Sequence, residues 1–251
     1  MNRPGRPGTS IVQSFSDQLN TPVEEAMEAP EMLPSRLAQA CVSALPVDAA
    51  GLGVYGDPGL RIPIGASDAA AIHAERMQFT LGVGPSAEVH AAGTVLTFDE
   101  DDLARNWPML SAALFADTPF KAVVSVPLHA PLTGLVVLDL YLRGAAGLHT
   151  IDLQDVDVVA GLVTGELMRA SMFAVELTGR PGWLAGDGVD RRTQVWQAMG
   201  MVTLATGLSS SDALAALRAR AFGTGRLVDE ISADIVAGTL DPRHLLVTTD
   251  G

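Results

Sequence analysis

Two apolar runs near the middle of the chain constrain its fold more than any other feature. They are AVVSVPL at 122–128 and GLVVLDLYL at 134–142, and the short segment HAPLT separates them. Runs of this length that are almost continuously apolar are typical of strands buried on both faces. They predict neighbouring strands of a sheet that helices cover on both sides. The second run holds Asp139 and is too short to span a bilayer, so no membrane segment is predicted.

Shorter segments before these runs complete the predicted sheet region. The segments AAGLGVYG (49–56) and LRIPIGAS (60–67) flank a DPG turn, which predicts a β-hairpin. A helix is predicted over 67–79 with Ser67 as its N-cap, and the later acidic run DEDD is explained by capping of another helix. We therefore predict an α+β region with an antiparallel sheet flanked by helices over 31–150.

A long helix is predicted after the sheet region, at 151–177, with Thr150 as its N-cap. Apolar residues recur there every three to four positions, which is the helical period. We predict that this helix connects the sheet region to the rest of the chain, and it is also a candidate dimer helix. The segment that follows, TGRPGWLAGDG (178–188), is rich in glycine and is predicted to be a linker.

Three shorter helices are predicted after the linker, within 189–243. The first has Asp190 as its predicted N-cap and ends at Gly207, at a position that favours glycine. The second has Ser209 in an acidic capping box, and the third carries apolar residues on one face. Short loops between amphipathic helices predict a small three-helix bundle, followed by a tail at 244–251.

The distribution of charge distinguishes this bundle from the rest of the chain. The chain has 16 basic and 29 acidic residues and a net charge of −13. Residues 189–243 hold six arginines and six acids, so the whole excess of negative charge lies outside them. Broad affinity for nucleic acid is therefore not expected, although the bundle has room for a local arginine face. Residues 1–30, which are polar and acidic, are predicted to form a mobile tail.

Several classes of protein are disfavoured by what the sequence lacks. Cys41 is its single cysteine, so no internal disulfide forms, and we predict a cytoplasmic protein without a signal peptide. The five histidines are scattered without the spacing of metal ligands. No pairing of nucleophile and base is recognisable either. We therefore predict no metal, no cofactor and no catalytic residue, and hence a protein that is not an enzyme.

Residues 31–150 resemble the GAF family of sensor domains, in particular those of actinobacterial two-domain regulators. The matching stretches are AGLGVYGDPGLRIPIGAS, ERMQFTLGVGPSAEVHAAG, Asn106-Trp107-Pro108, AVVSVPL and GLVVLDLYLRG. The resemblance implies a domain that receives a signal from a small ligand or a partner protein. The residues predicted to line its ligand pocket are Gln78, Ser86, Trp107 and Phe120. Relatives tend to have cysteine where this chain has Ser86, so a redox or metal role at that position is not expected.

Residues 189–243 resemble the ANTAR family, an RNA-binding antitermination module. The family pattern is a Gln-Ala-Lys-Gly step, an acidic-Ala pair, Leu-Arg-x-x-Ala and an apolar third helix. The matching residues are Gln197, Ala198, Gly200, Asp212, Ala213, Leu217, Arg218, Ala221, Leu227, Ile231 and Ile235. The chain departs from the pattern at Met199, where lysine is usual, and at Leu214, where an aromatic is common. The resemblance implies binding to paired hairpins in nascent RNA, which prevents a terminator from forming.

The RNA-binding residues predicted on this basis combine arginines with small and polar residues of the first two helices. They are Arg191, Arg192, Gln197, Ala198, Gly200, Arg218 and Ala221. Arginine suits phosphate because of its planar fork, and phosphate contacts supply much of the affinity for nucleic acid. Two positive charges at a predicted helix N-terminus also oppose the helix dipole, which invites a functional explanation. The alternative is a solvated arginine face with ordinary ion pairs, and close helix packing at the small residues.

Two functions remain open from the sequence. The first is a homodimeric GAF–ANTAR regulator that responds to a signal and binds RNA hairpins. The second is a sensor and protein-interaction module whose bundle has lost RNA binding, which Met199 and the neutral charge of the bundle favour.

Overall fold

The computed structural model describes residues 10–56, 60–178, 181–184 and 187–245, and its first part is a sheet between helices. The predicted DPG turn and part of the predicted linker lie outside the described residues. In chain order the elements of this part are α1 (Ile11–Leu19), α2 (Glu25–Glu28), α3 (Leu33–Ala44), β1 (Ala49–Gly56), β2 (Leu60–Ala66), α4 (Ala69–Leu81), α5 (Pro85–Ala92), β3 (Leu96–Phe98), α6 (Glu100–Asn106), α7 (Pro108–Asp117), β4 (Ala122–Pro127) and β5 (Val136–Leu142).

The described strands form a five-stranded sheet in the order β2-β1-β5-β4-β3. Every neighbouring pair is antiparallel, and β1 and β2 pair as the predicted hairpin, with Gly56 opposite Leu60. The central strand β5 is buried along its whole length. The prediction of an α+β region with an antiparallel sheet is therefore confirmed.

The two faces of the sheet contact different helices. Successive side chains of a strand point to opposite faces. Leu138 and Leu140 of β5 belong to the main core, which also includes residues of α1 and α3. Tyr141 lies on the opposite face in a cluster with Ala74 of α4 and Leu114 of α7. Because both faces are covered, strands with few polar residues are stable at this position.

The long helix α8 (Leu153–Thr178) packs against the first of these faces. Its apolar stripe includes Val156, Val163 and Leu167, which are fully buried against the rest of the same chain. The stripe is therefore not available as a dimer seam, although the sequence alone suggests that role. The predicted cap is also wrong, because Thr150 ends a preceding 3-10 turn and Asp152 Oδ1 accepts the Gln154 N–H at 2.8 Å.

The predicted mobile tail at 1–30 is wrong for its described part. Helix α1 carries Ile11, Phe15 and Leu19 four residues apart, and Phe15 is buried in the main core. The Arg36 Nη2 donates to the backbone oxygen of Leu19 at 2.6 Å, which fixes the end of α1 against α3. This apolar face anchors a segment whose overall composition is polar, so composition alone is misleading here. Residues 1–9 lie outside the described residues.

Three further helices form the C-terminal bundle. They are α9 (Asp187–Thr206), α10 (Ser210–Gly223) and α11 (Val228–Val236), and a 3-10 turn (Pro242–Leu245) follows. Their shared core includes Val195 of α9, Leu217 of α10 and Ile231 of α11. Gly207 ends α9 with a φ of +76°, as the sequence predicts.

Two predicted helix starts are corrected by the structure. Helix α9 begins at Asp187, so Asp190 is not its N-cap and the arginines that follow lie beyond the first turn, where the dipole effect is weak. Helix α4 is capped by Asp68, whose side chain accepts the Ala71 N–H, and not by Ser67. The Ser67 hydroxyl instead accepts the Ala50 N–H at 2.9 Å, so it joins β1 to the end of β2.

The acidic run before α6 acts as predicted, because Asp99 and Asp102 form a capping box at its start. Within the part of the chain that the structure describes, no helix combines the length and apolarity needed to cross a bilayer.

Candidate functional site

A buried polar network lies on the face of the sheet that α4 and α5 cover. Asp139, at the centre of β5, is fully buried. Its Oδ2 accepts hydrogen bonds from Arg61 Nη2 at 3.0 Å, from Gln78 Nε2 at 2.9 Å and from the Ser86 hydroxyl. Its Oδ1 accepts the Ser125 hydroxyl at 2.5 Å. One carboxylate therefore joins side chains from β2, α4, α5 and β4.

A second carboxylate, that of Glu75, shares the guanidinium of Arg61. Arg61 Nη2 contacts Glu75 Oε2, and the Tyr141 hydroxyl donates to Glu75 Oε1 at 2.6 Å. Burial raises the pKa of Glu75 to about 7, although Arg61 opposes the shift. Burial acts to lower the pKa of Arg61, but the two carboxylates outweigh it and hold this pKa above its ordinary value. Within this network, the carboxyl group of Glu75 thus has a pKa near neutral pH.

Two glycines of β1 make room for this network. A Cβ on Gly51 would collide with the Glu75 carboxylate, and one on Gly53 would lie 2.8 Å from the Arg61 guanidinium carbon. A side chain at either position would therefore have to displace the end of the Glu75 or Arg61 side chain from the network. The described residues contain no cluster of three His, Cys, Asp or Glu side chains of the kind that holds a metal.

The structure brings together only part of the predicted ligand pocket. Gln78 and Ser86 are buried neighbours, and the Ser86 N–H donates to Gln78 Oε1 at 3.2 Å. Phe120 stacks on Tyr141 with 4.9 Å between ring centroids, at the edge of the network. Trp107 lies edge-on to Phe98 at 5.0 Å and is partly buried against the apolar cluster that includes Phe120 and Tyr141. Gln78 and Ser86 thus lie around the centre of the polar network, which Asp139 and Arg61 occupy. Both Gln78 and Ser86 donate hydrogen bonds to Asp139.

The C-terminal bundle docks onto α4, and Phe79 is the centre of that contact. Phe79 is a residue of α4, yet it belongs to the apolar core of the bundle. The guanidinium carbon of Arg192 lies 3.1 Å from the Phe79 ring centroid, and that of Arg218 lies 5.4 Å from it. Arg218 Nη2 also donates to the backbone oxygen of Phe79 at 3.1 Å. Two arginines of the bundle therefore hold one aromatic ring of the sheet region.

Ion pairs reinforce the docking at the start of α11. Arg76 of α4 contacts Asp229 at 2.9 Å and Glu230 at 3.2 Å. Arg191 lies 3.7 Å from the same Asp229 oxygen. The Val228 N–H, an orphan donor at the N-terminus of α11, donates to the Thr80 hydroxyl at 3.1 Å. The helix end is thus capped by the region on which it docks.

A cavity of about 430 Å³ lies between the bundle and the sheet region, a volume typical of small-molecule sites. Its lining includes Glu75, Arg76 and Phe79 from α4 and Arg191 and Arg192 from α9. Arg192 is 2% exposed, and its Nε, Nη1 and Nη2 donate hydrogen bonds to no described residue. Burial, followed by the charges of Arg218 and Arg61, lowers the pKa of Arg192 far below its ordinary value.

The predicted RNA-binding residues divide into three groups in the docked arrangement. Gln197 and Gly200 are exposed on α9, and Arg191 is half-buried. Ala198 and Ala221 are fully buried in the bundle core, where direct contact with RNA is excluded. Arg192 and Arg218 are turned towards Phe79. Sequence reasoning treats all the arginines alike, whereas docking separates them.

Apolar side chains occupy much of the exposed face of α9. Trp196 is 44% exposed and Leu204 is 89% exposed, and Gly200 lies between them on the same helical face. Met199, where the family pattern has lysine, is partly buried against the bundle core.

Four residues that organise these sites are absent from the sequence predictions: Arg61, Glu75, Phe79 and Asp139. Asp139 carries a signal that sequence reasoning can use, because a charged residue within a buried strand needs a partner. Phe79 carries no comparable signal, because an aromatic residue on an amphipathic helix is ordinary.

No protein-family model matches the sequence, and a search of curated proteins finds no match either.

Proposed function

We propose that this protein is a signal-responsive regulator of transcription antitermination, with a GAF-type sensor region at 31–150 and an ANTAR-type RNA-binding bundle at 189–243. The order of its parts supports this proposal. An antiparallel sheet between helices is followed by a long helix and then by a three-helix bundle. This is the arrangement that the resemblance of the sequence implies.

The observation that carries the proposal is the use of the same arginines for two purposes. Arg192 and Arg218 are among the residues predicted to contact RNA, and both hold the bundle on Phe79. Arg192 is 2% exposed in the docked state, so a phosphate of RNA cannot reach its guanidinium, and Arg218 Nη2 is bonded to the backbone oxygen of Phe79. Docking and full RNA contact therefore exclude one another, which is the property that a regulated RNA-binding module needs.

The proposed mechanism is an equilibrium between a docked and a released bundle. In the docked state the contacts of α4 with α9, α10 and α11 keep two arginines from RNA. A signal that weakens these contacts releases the bundle, and paired hairpins in nascent RNA then bind it. Such a signal shifts the equilibrium only as far as it binds the two states differently.

We also propose a homodimer, whose interface is a surface other than the buried stripe of α8. The opposite side of α8 carries exposed Val158 and Met172, which are available to a second copy.

Salt-dependent binding to structured RNA tests the proposal. We expect the full chain to bind a pool of hairpin RNAs with an affinity that falls as salt rises, because phosphate contacts release counterions. Replacing Arg191 by Gln lowers the affinity and reduces the slope of log K against log salt by about one. The matched control is Arg169→Gln on α8, which leaves the affinity unchanged. A chain that binds no structured RNA at any salt concentration, with docking intact or weakened, contradicts the proposal.

The exposed apolar face of α9 favours a second candidate, a sensor whose bundle binds another protein. Trp196 and Leu204 suit a protein interface better than a phosphate backbone. Met199→Lys separates the two candidates, because it restores the charge of the family pattern. An increase from no RNA affinity to measurable affinity identifies the natural bundle as one that does not bind RNA. A modest gain over existing affinity supports the RNA-binding function.

A further inference from the structure

The interface cavity contains a charged group whose hydrogen bonds are unmet. Arg192 is 2% exposed, and its three side-chain nitrogens have no partner among the residues that the structure describes. A buried guanidinium without a partner is strongly unfavourable, since its five N–H groups have lost water and gained nothing. The ring of Phe79 offsets this cost only in part, because it supplies no hydrogen-bond acceptor in the plane of the guanidinium.

The group that satisfies a guanidinium best is a planar anion. A carboxylate matches its fork with two parallel hydrogen bonds. Neither the Glu75 nor the Asp229 carboxylate is hydrogen-bonded to Arg192. Glu75 is bonded to Arg61 and Tyr141, and Asp229 is bonded to Arg76.

The rest of the lining selects among anions. Ile64, Ile72 and Val195 give the cavity apolar walls. Four carboxylates also line it and disfavour an anion of high charge such as phosphate, although three arginines lie beside them. The carboxylates are those of Glu31, Glu75, Asp190 and Asp229, and the arginines are Arg76, Arg191 and Arg192. The Oδ1 atom of Asp229 is buried without a donor among the described residues, so it has a free acceptor position. The lining thus offers the unpartnered guanidinium of Arg192 to one negative charge, and its apolar walls to an apolar body.

We propose that the cavity between the sheet region and the bundle binds a small monocarboxylate with an apolar body, and that Arg192 holds its carboxylate. Arg192 and Val195 of α9 form one wall, while Phe79 of α4 and Ile64 of β2 form the other. A bound carboxylate therefore touches both parts of the chain and stabilises their docking. The site stands whether or not the bundle binds RNA, so failure of the antitermination proposal leaves it intact.

The test uses the purified full chain and three carboxylates, namely acetate, hexanoate and phenylacetate. Hexanoate and phenylacetate are expected to raise the thermal midpoint of the chain, because a ligand that binds the folded state stabilises it. Acetate lacks the apolar body and is expected to act weakly. Hexanamide and phenylacetamide, which are neutral, are expected to have no effect.

Variants of Arg192 connect the response to the proposed residue. Arg192→Met keeps most of the side-chain volume and is expected to weaken hexanoate binding by about tenfold or more, the value of a charge-assisted hydrogen bond. Arg192→Lys keeps the charge without the fork, and an intermediate response is expected. Arg169→Met, on the surface of α8, is the control and retains the full response.

Direct titration calorimetry of the same variants gives the second measurement, which does not depend on thermal unfolding. The proposal is overturned if no carboxylate binds the full chain, or if Arg192→Met and Arg192→Lys bind as tightly as the natural protein. Equal binding of acids and amides also overturns it, since the carboxylate is then not recognised.

Discussion

Two arginines of this protein are buried to nearly the same extent, but only one of them is paired with carboxylates. Arg61 in the sheet region is 5% exposed and Arg192 at the bundle interface is 2% exposed. Arg61 contacts the carboxylates of Glu75 and Asp139, whereas Arg192 stacks on Phe79 and has no hydrogen-bond partner among the described residues. The surrounding charges raise the pKa of Arg61 above its ordinary value, and burial lowers that of Arg192.

The difference shows which of the two sites belongs to the stable core. A paired buried charge is costly to break, because removal of one partner leaves the other buried alone. An unpaired buried charge weakens the fold from the start and persists where a ligand or a conformational change needs it. The Asp139 network therefore holds the sheet region together, and the unpaired Arg192 site is where our proposals place a ligand and a change of docking.

The largest expected effect comes from breaking the paired site. Arg61→Met leaves Glu75 and Asp139 as buried carboxylates without their cation, so we expect the free energy of unfolding to fall by about 3–5 kcal/mol. Urea unfolding measures this loss. The control is Arg143→Met, because Arg143 is 68% exposed and its ion pair with Asp48 is surrounded by water. A loss no greater than that of the control would contradict the structural role of the network.

The same substitution at the unpaired site is expected to act in the opposite direction. Arg192→Met removes an unsatisfied charge and keeps an apolar side chain against Phe79. We expect the unfolding free energy of the chain without ligand to rise by about 1–2 kcal/mol. The unfolding experiment used for Arg61→Met compares the two variants directly. If Arg192→Met instead destabilises the chain as much as Arg61→Met, the two sites are equivalent and the comparison fails.

Local elements of both regions follow from the sequence because their signals are periodic. The alternation and apolarity of β1, β2, β4 and β5 predict a covered sheet, and α8 to α11 follow from apolar residues at helical spacing. Helix α1 shows the limit of reasoning from composition. Its Ile11, Phe15 and Leu19 carry the helical period, but the polar residues around them favour a tail.

The two buried arginine sites could not be predicted in the same way. Arg61 meets Asp139 across the sheet, and Phe79 of α4 meets Arg192 of α9, so both contacts join residues far apart in sequence. A pattern along the chain shows that Arg192 is charged and follows Arg191, which suggests an exposed pair. Burial of one of them depends on how the bundle docks, and docking has no local signature.

The pH dependence of stability sharpens the comparison on the side of the paired site. Burial raises the pKa of Glu75 from 4.5 to about 7, so between these values the folded chain holds a proton that the unfolded chain has lost. Stability therefore falls as pH rises through this window, and the cost is fully present above the folded pKa. Three titratable groups face Glu75, namely Arg61, Tyr141 and Asp139. The pKa values of Arg61 and Tyr141 are raised above their ordinary values, so both groups remain protonated in this window.

Glu75→Gln removes this titration. We expect the difference in unfolding free energy between the natural chain and the variant to shrink by about 2–3 kcal/mol from pH 5 to pH 8, because most of the interval between the unfolded and folded pKa values lies in this range. Urea unfolding at several pH values measures the difference. A difference that stays constant or grows with pH contradicts the assignment of the near-neutral titration to Glu75.

The smallest expected effect concerns the ion pairs that dock the bundle. Arg76 contacts Asp229 and Glu230 across the interface, but it is 24% exposed and Arg191 lies near the same Asp229. Arg76→Gln is therefore expected to lower the unfolding free energy by only about 0.5 kcal/mol. The matched variant is Arg226→Gln, which removes ion pairs with Asp234 and, at 3.8 Å, with Glu230 inside the bundle and leaves the contact of Arg76 with Asp229 in place.

Hydrogen exchange separates these two variants even where their stabilities agree. The Val228 N–H donates to the Thr80 hydroxyl across the interface, so its exchange reports on docking. We expect faster exchange of this amide in Arg76→Gln, together with tighter RNA binding if docking blocks RNA, and neither change in Arg226→Gln. Equal exchange in both variants means that the apolar contact of Phe79 alone holds the bundle. In that case, the contact of Arg192 with the Phe79 ring is the remaining place where a ligand can control release of the bundle from α4.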